Sequence, residues 1–468
     1  MKTSNYSYNR DQVKSGILHF GVGNFHRAHL ECYTNRLLSE ASESGWGICG
    51  AMLLPQDEKL YKKLKSQDGI YSLTVCGRDG NNEVEWIGSL VELLWSGEDV
   101  EAIINKVADK DIKIITLTIT EGGYNLDNAA VEGDLKNPAS PKSVFGIVAE
   151  GLRRRVAAGN GAITILSCDN LQHNGDTCKR VFTDFFKRQD SELAAWVEAN
   201  VTFPNSMVDR ITPATTEDDV VRINASLGTF DAAPVYCEDY IQWVVEDNFV
   251  AGRPAWESVG VEFTDDVAPF ENMKLSLLNA AHTLLSYPSL LSGYRRVDEA
   301  MQDPRIIKFV RSFMDLDATP YVPAPKNTDL DLYKQTLIER FANKAVSDQI
   351  SRLCGDGGSK FPVYVMPIAK KMVPNADDMT RIAYLIAAYR HYLKYLTDDN
   401  GVSFEIFEPQ LSTADFELIA EGSALEFLTV SAFKDVDLSQ CEPFVELYLG
   451  YVEKIKAQGA MATLESLI

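Results

Sequence analysis

The chain has 468 residues, with 45 Lys and Arg against 67 Asp and Glu, a formal net charge of −22. That sign is wrong for a nucleic-acid backbone and for an anionic membrane surface, so neither is expected as a partner; a neutral small molecule, or an anion held by a few local cations, stays open. Hydrophobic residues at 45% and charged residues at 24% exclude extended disorder, and the length suits about two or three domains.

The opening residues, MKTSNYSYNRD, hold no apolar run of the kind a secretory signal carries, so none is expected. Residues 17–20 are a short strand candidate, followed at once by Gly21-Val22-Gly23. Leu30, Tyr33, Leu37 and Leu38 then fall at helical spacing over 27–39. Residues 47–54 read as a second buried strand. Residues 71–75 and 84–87 read as an antiparallel pair, with turn chemistry at Gly80-Asn81-Asn82. A helix over 98–108, a β-branched strand over 113–120, a helix over 144–156 and a strand over 162–167 follow. This alternation predicts an α/β fold, a Rossmann-like doubly wound parallel sheet with helices on both faces. From about residue 269 helical periodicity dominates: 271–286 without a breaker, then 305–314, 332–342, 378–396 and 443–456. The expected division is a dinucleotide-binding domain over 1–265 and a mostly α-helical substrate and catalytic domain over 266–468. Residues 319–326 (TPYVPAPK) and 355–362 (GDGGSKFP) are expected as loops, the second too rich in Gly for a helix interior.

No run of apolar residues reaches the ~18–20 that a membrane helix requires. The eight cysteines (32, 49, 76, 168, 178, 237, 354 and 441) form no C-x-x-C pair and no zinc-finger spacing. Free thiols, no metal site and a cytoplasmic protein are the expectation.

Two groups of residues have the composition of chemistry. Gly21, Gly23, Asn24 and Phe25 lie between a strand and a helix, the context of a dinucleotide-binding turn. Glycine allows a tight turn and close approach of a pyrophosphate, and the helix N-terminus meets its charge. His26 stands where the third Gly of G-x-G-x-x-G would be, so an ordinary glycine turn reads the same way. Asp57, just past the second strand, suits a ribose diol and hence NAD rather than NADP; a solvated loop acid reads equally well there.

The second group is Lys274, Asn279 and His282, spaced K-x4-N-x2-H, with Glu271 one turn earlier. On an ideal α-helix they share a sector of roughly 140°, at ~100° per residue. Singly, each reads as part of a solvated stripe. Together, two cations, an amide and a carboxylate on one face of a leucine- and alanine-rich helix favour a site, because burying them unpaired is costly. A lysine with a lowered pKa suits proton removal from a secondary alcohol. The oxygen that then gains negative charge needs donors, which Asn279 can supply. So can Asn170, which ends the strand segment ITILSCDN; a turn-forming Asn is the alternative there.

With these pieces in place, the chain resembles the polyol-specific long-chain dehydrogenases, from about residue 16 to the mid-450s. The segments that carry the resemblance are HFGVGNFHRAH (19–29), TITEGGY (118–124), SCDNLQHNG (167–175), FPNSMVDRITP (203–213), GRPAWESVGVEFTDDV (252–267) and KLSLLNAAH (274–282). The wording is closest to the mannitol-oxidising members. The resemblance implies a monomeric, zinc-independent, NAD-dependent enzyme that oxidises a polyol to a ketose. It implies that Lys274 is the base, that Asn170 and Asn279 form the oxyanion pocket, that His282 holds the reactive oxygen or tunes the lysine, and that Glu271 is a proton gate. It also implies substrate-hydroxyl contacts at Asp209, Arg352 and Lys360. One departure is Gln56-Asp57, where the mannitol members tend to carry Glu-Asp; a single carboxylate is left to select NAD.

Three rival readings stand. Fructuronate reductases and D-arabinitol 4-dehydrogenases of the same family share the K-x4-N-x2-H signature, and a sugar acid would find a cation in Arg352 or Lys360. An NAD-binding sensor without catalysis would keep the glycine turn but would not need Lys274.

Overall fold

The computed structural model describes residues 2–41, 43–326 and 328–468. The chain divides into two units, Met1–Ala268 and Pro269–Ile468.

The first unit is built on six parallel strands: β1 (Ser15–Phe20), β2 (Gly47–Met52), β3 (Leu90–Trp95), β4 (Ile114–Leu117), β5 (Ile163–Ser167) and β6 (Val201–Thr202). Their order in the sheet is β3-β2-β1-β4-β5-β6, the doubly wound order, whose direction reverses between β1 and β4. Side chains alternate between two cores, as a period of two requires. Leu18, Phe20, Cys49, Ala51, Ile115, Leu117, Ile163 and Ile165 enter one core. Ile17, Ile48, Met52, Ile114, Leu166 and Cys168 enter the other. Both faces are therefore covered, and apolar β-branched runs such as Ile114–Leu117 are fully buried. The edge strand β3 is absent from the sequence-based expectation, because LVELLW alternates in neither period. Two smaller sheets complete the unit. One contains the antiparallel pair Tyr71–Cys76 and Asn82–Ile87; the other pairs Ser206–Asp209 with Gln242–Glu246.

The second unit is helical. Its centre is Thr380–Tyr395, buried along most of its length and packed against Glu442–Gln458 and Ala280–Leu291. Two expectations are corrected here. The stretch 271–286 is not an uninterrupted α-helix: Ala268–Met273 passes into a π-helical turn, Lys274–Asn279, before Ala280–Leu291 resumes. The Gly-rich stretch 355–362 is largely helical. A short helix, Gly357–Lys360, runs into a second π-helical turn, Phe361–Val365. Glycine is required at 357 by packing: a Cβ there would lie 2.7 Å from the Tyr287 hydroxyl and the Tyr389 ring. The amides at that helix start, which have no partner within the helix, are satisfied by Glu408, whose carboxylate accepts from Gly357 N and Gly358 N, each at 3.0 Å. Composition alone contains neither partner. Among the described residues no helix is long and apolar enough to cross a membrane.

Candidate active site

In the first unit the turn after β1 has the geometry of a phosphate cradle. Gly21 has φ +99°, and a Cβ would lie 2.0 Å from Thr118 O, so only glycine fits. Over Gly23 the space is open, the nearest atom to an added Cβ being Gly21 O at 3.9 Å. Backbone left clear in this way fits the pyrophosphate of a dinucleotide. Asn24 begins the helix that follows, and its side chain is already committed. Its Nδ2 donates to Pro213 O at 3.2 Å, and its Oδ1 accepts from Arg27 Nη2 at 2.7 Å. The ring of Phe25 stacks on His29, at 4.9 Å between centroids.

His26, in place of the third glycine, is buried and stacks on His19 with centroids 3.3 Å apart and planes within 4°. A glycine there would let helix and strand backbones approach directly; here two imidazoles form the contact instead. His19 Nε2 lies 3.1 Å from Gly21 O, tying the pair to the turn. Burial, and for His19 also the neighbouring His26, lowers the pKa of both rings, so they are neutral.

Past β2, Asp57 Oδ2 accepts from Leu54 N at 2.9 Å, which fixes the carboxylate at the start of a helix. Lys59, the nearest cation in sequence, pairs with Glu217 at 2.6 Å.

At the carboxyl end of β5, Asn170 follows a buried acid that the sequence reading missed. Asp169 accepts from Thr120 N at 2.8 Å, from Ile119 N at 3.2 Å and from the Tyr124 hydroxyl at 2.7 Å. Burial pushes its carboxyl up to about 6. The turn that Asp169 holds is strained, Thr120 having φ +65° and ψ 167°, a conformation that costs about 1–3 kcal/mol. Asn174, also missed, donates to Asp169 O at 3.1 Å and Ser206 O at 2.8 Å. It thereby staples the strand end that carries Asn170 to the strand Ser206–Asp209. Asp209 is buried at the far end of that strand.

In the second unit the π turn changes the spacing of the signature. Ala280 N donates to Leu275 O, an i to i+5 bond, so residues five apart stack one turn above another. Lys274 and Asn279 therefore come into line, where an ideal α-helix would splay them. Lys274 and Glu271 are buried. Asn279 Oδ1 is buried and has no hydrogen-bond partner in the protein. The His282 ring packs on Phe341 at 4.2 Å.

Two further π turns, Met314–Ala318 and Phe361–Val365, pack against this one. Just before the latter, Lys360 Nζ donates to the carbonyls of Arg352 and Leu353 at 3.1 and 2.9 Å, which brings these two candidates together. Burial, with the charge of Arg352, lowers the Lys360 pKa. Arg352 is itself held by Asp348, Nε to Oδ1 at 2.9 Å and Nη2 to Oδ2. Asp348 and Glu408 are absent from the sequence-based set. The i, i+4 spacing of Asp348 and Arg352 is a signal that was there to be read. Among the described residues no group of three His, Cys, Asp or Glu side chains is arranged to hold a metal ion.

A doubly wound dinucleotide-binding domain, followed by a helical domain with a buried lysine on a π turn, defines a two-domain dehydrogenase. The particular family follows from comparison with known proteins. The mannitol dehydrogenase Rossmann domain matches residues 15–258, and the mannitol dehydrogenase C-terminal domain matches residues 266–456. The chain belongs to the mannitol dehydrogenase family. It is 40% identical to a polyol:NADP oxidoreductase of Gluconobacter oxydans, covering 93% of this chain and 92% of that one. To a mannitol 2-dehydrogenase of Neosartorya fischeri it is 36% identical, with 97% and 93% covered. Mannitol 2-dehydrogenase of Pseudomonas fluorescens, solved as a ternary complex with NAD and D-mannitol, superposes with a TM-score of 0.92 at 39% identity, covering 100% and 96%. A substrate-free D-sorbitol dehydrogenase superposes at 0.89 with 37% identity, covering 99% and 97%.

Proposed function

We propose that this chain interconverts a polyol and its ketose with NAD, D-mannitol and D-fructose being the favoured pair. The observation that carries the reading is the π turn, which lines up buried Lys274 with Asn279 and leaves Asn279 Oδ1 as a buried acceptor without a protein donor. A second substrate hydroxyl would donate to that Oδ1, leaving Asn279 Nδ2 as the donor to the reacting oxygen. Bound NAD would supply the hydride acceptor, cradled by the Gly21 to Phe25 turn, with Asp57 on the adenosine ribose.

In the oxidative direction the carbinol carbon loses hydride, and Lys274 Nζ takes the hydroxyl proton. Asn279 and Asn170 are assigned as donors to the oxygen as negative charge develops on it. His282 orients that oxygen, and Glu271 passes the proton from Lys274 to solvent. Asp209, Arg352 and Lys360 are assigned to the remaining hydroxyls. NAD is favoured over NADP because a 2′-phosphate would meet the Asp57 carboxylate while Lys59 is engaged by Glu217. The Gluconobacter relative carries NADP in its name, so both cofactors belong in the test.

The test is a substrate panel: NADH or NADPH formation with D-mannitol, D-arabinitol and D-sorbitol, and consumption with D-fructose. Turnover of D-mannitol with NAD is expected, undiminished by EDTA. NAD binding with no turnover of any polyol or ketose would overturn the reading in favour of a silent sensor.

A further inference from the structure

Arg352 and Lys360 are two cations on one short segment, and two cations invite an anionic substrate. Their partners argue otherwise. Arg352 has an accessible side chain, 54% exposed, whereas that of Asp348 is 7% exposed. The Asp348 carboxylate engages the Nε and Nη2 edge of the guanidinium with both oxygens and also accepts from Gln349 N at 2.8 Å. Burial works to raise the Asp348 pKa, but the hydrogen bonds and charge of Arg352, with the influence of His282, more than offset it and hold the acid ionised. One bidentate face of Arg352 is thus occupied by a fixed carboxylate, and its charge is cancelled. What remains, the Nη1 edge, is a donor of hydrogen bonds to neutral oxygens. Lys360 has two of its three N–H bonds on backbone carbonyls, which leaves it one donor to offer.

Resting on the polyol reading above, we infer that Asp348 is the specificity-determining residue that sets the charge class of the substrate. Its pairing with Arg352 makes the hydroxyl-binding end accept neutral polyols and reject sugar acids of the same configuration. A substrate carboxylate would have to compete with Asp348 for the guanidinium, or lie beside it and meet like-charge repulsion.

The experiment compares kcat/KM for D-mannitol and for the aldonate D-mannonate in wild type, Asp348→Asn and Asp348→Glu. Wild type is expected to favour the polyol. Asp348→Asn frees the guanidinium charge without removing its shape partner, and should raise the aldonate-to-polyol ratio by roughly ten- to hundredfold, the range of a charged hydrogen bond. Asp348→Glu should keep the wild-type ratio. A merely structural role would lower both activities and leave their ratio unmoved, which overturns the inference. If Asp348→Asn does not fold, Asp348→Ser gives the same ratio; failing both, a wild type that favours the aldonate overturns it. An enzyme that turns over polyols in wild type, with no shift of ratio in Asp348→Asn, refutes the inference alone. Absence of polyol turnover in wild type refutes the functional reading instead.

Discussion

Lys274 is buried on an apolar helix and is the proposed base. Replacing it by Ala should lower kcat by about 10²–10⁴-fold, the usual range for a lost general base. NADH affinity should change little, since the turn proposed to hold the cofactor lies at Gly21. Wild-type oxidation should rise with pH as the lysine loses its proton, and ketose reduction should fall. Stopped-flow measurement of the hydride step across pH checks both; near-normal hydride transfer in Lys274→Ala would remove it as the base. Asp57 has two duties, because the oxygen that caps Leu54 N sits on the carboxylate proposed to face the ribose. Asp57→Ala should cost about 1 kcal/mol as a lost cap. It should also lower the NAD-to-NADP ratio of kcat/KM by roughly tenfold or more, since like charges in contact cost several kcal/mol. An unchanged ratio would leave Asp57 with the cap alone.

At the scale of elements, the Gly357–Lys360 helix is held by a group 51 residues away in sequence, Glu408. Its carboxylate is pushed up to about 7 by burial, and it spends both oxygens on the two glycine amides. Glu408→Gln keeps the size but turns one acceptor into a donor facing an N–H. The loss should be about 1–3 kcal/mol in urea unfolding, the cost of a buried polar group left unmatched. Because Lys360, proposed to hold a substrate hydroxyl, ends this helix, KM for the polyol should rise more than kcat falls, with NADH binding unaltered. Equal stability of variant and wild type would show that the helix start at Gly357 is held by packing against Tyr287 and Tyr389 instead.

At the scale of the molecule, charge and burial combine to set a pH dependence. Burial raises Glu31 and Glu408 to about 7, and Asp169 and Asp317 to about 6. Each binds its proton more tightly folded than unfolded. The stability each contributes is complete below the ordinary carboxylate range and is lost as pH rises through 6 to 7. Asp303 runs the other way: Arg305 holds it at about 2, so its contribution is lost only as pH falls through that value. The net charge of −22 adds repulsion at neutral pH. The thermal midpoint should peak near about pH 5 and fall by several degrees towards pH 8, and salt should recover part of the loss at pH 8. A low-salt midpoint as high at pH 8 as at pH 5.5 would contradict this.

The parallel sheet was legible in the chain because runs such as 113–120 and 162–167 are local: period, β-branching and the intervening helices all lie within a few dozen residues. The glycine turn was legible for the same reason, Gly21 marking backbone that no side chain can share and Gly23 backbone left clear beside it. The family segments, including K-x4-N-x2-H, are likewise written in order along the chain. Where the outcome depended on partners distant in sequence, the chain was silent. The π turn that aligns Lys274 with Asn279 is not marked in KLSLLN, and it packs against two turns distant in sequence, Met314–Ala318 and Phe361–Val365. Glu408 turned a Gly-rich loop into a helix start, Asp169 held Thr120 in a strained turn beside Asn170, and His26 found His19 to replace a glycine. These contacts join groups that attract one another only once the core has brought them close and excluded water, and that selection belongs to the tertiary structure.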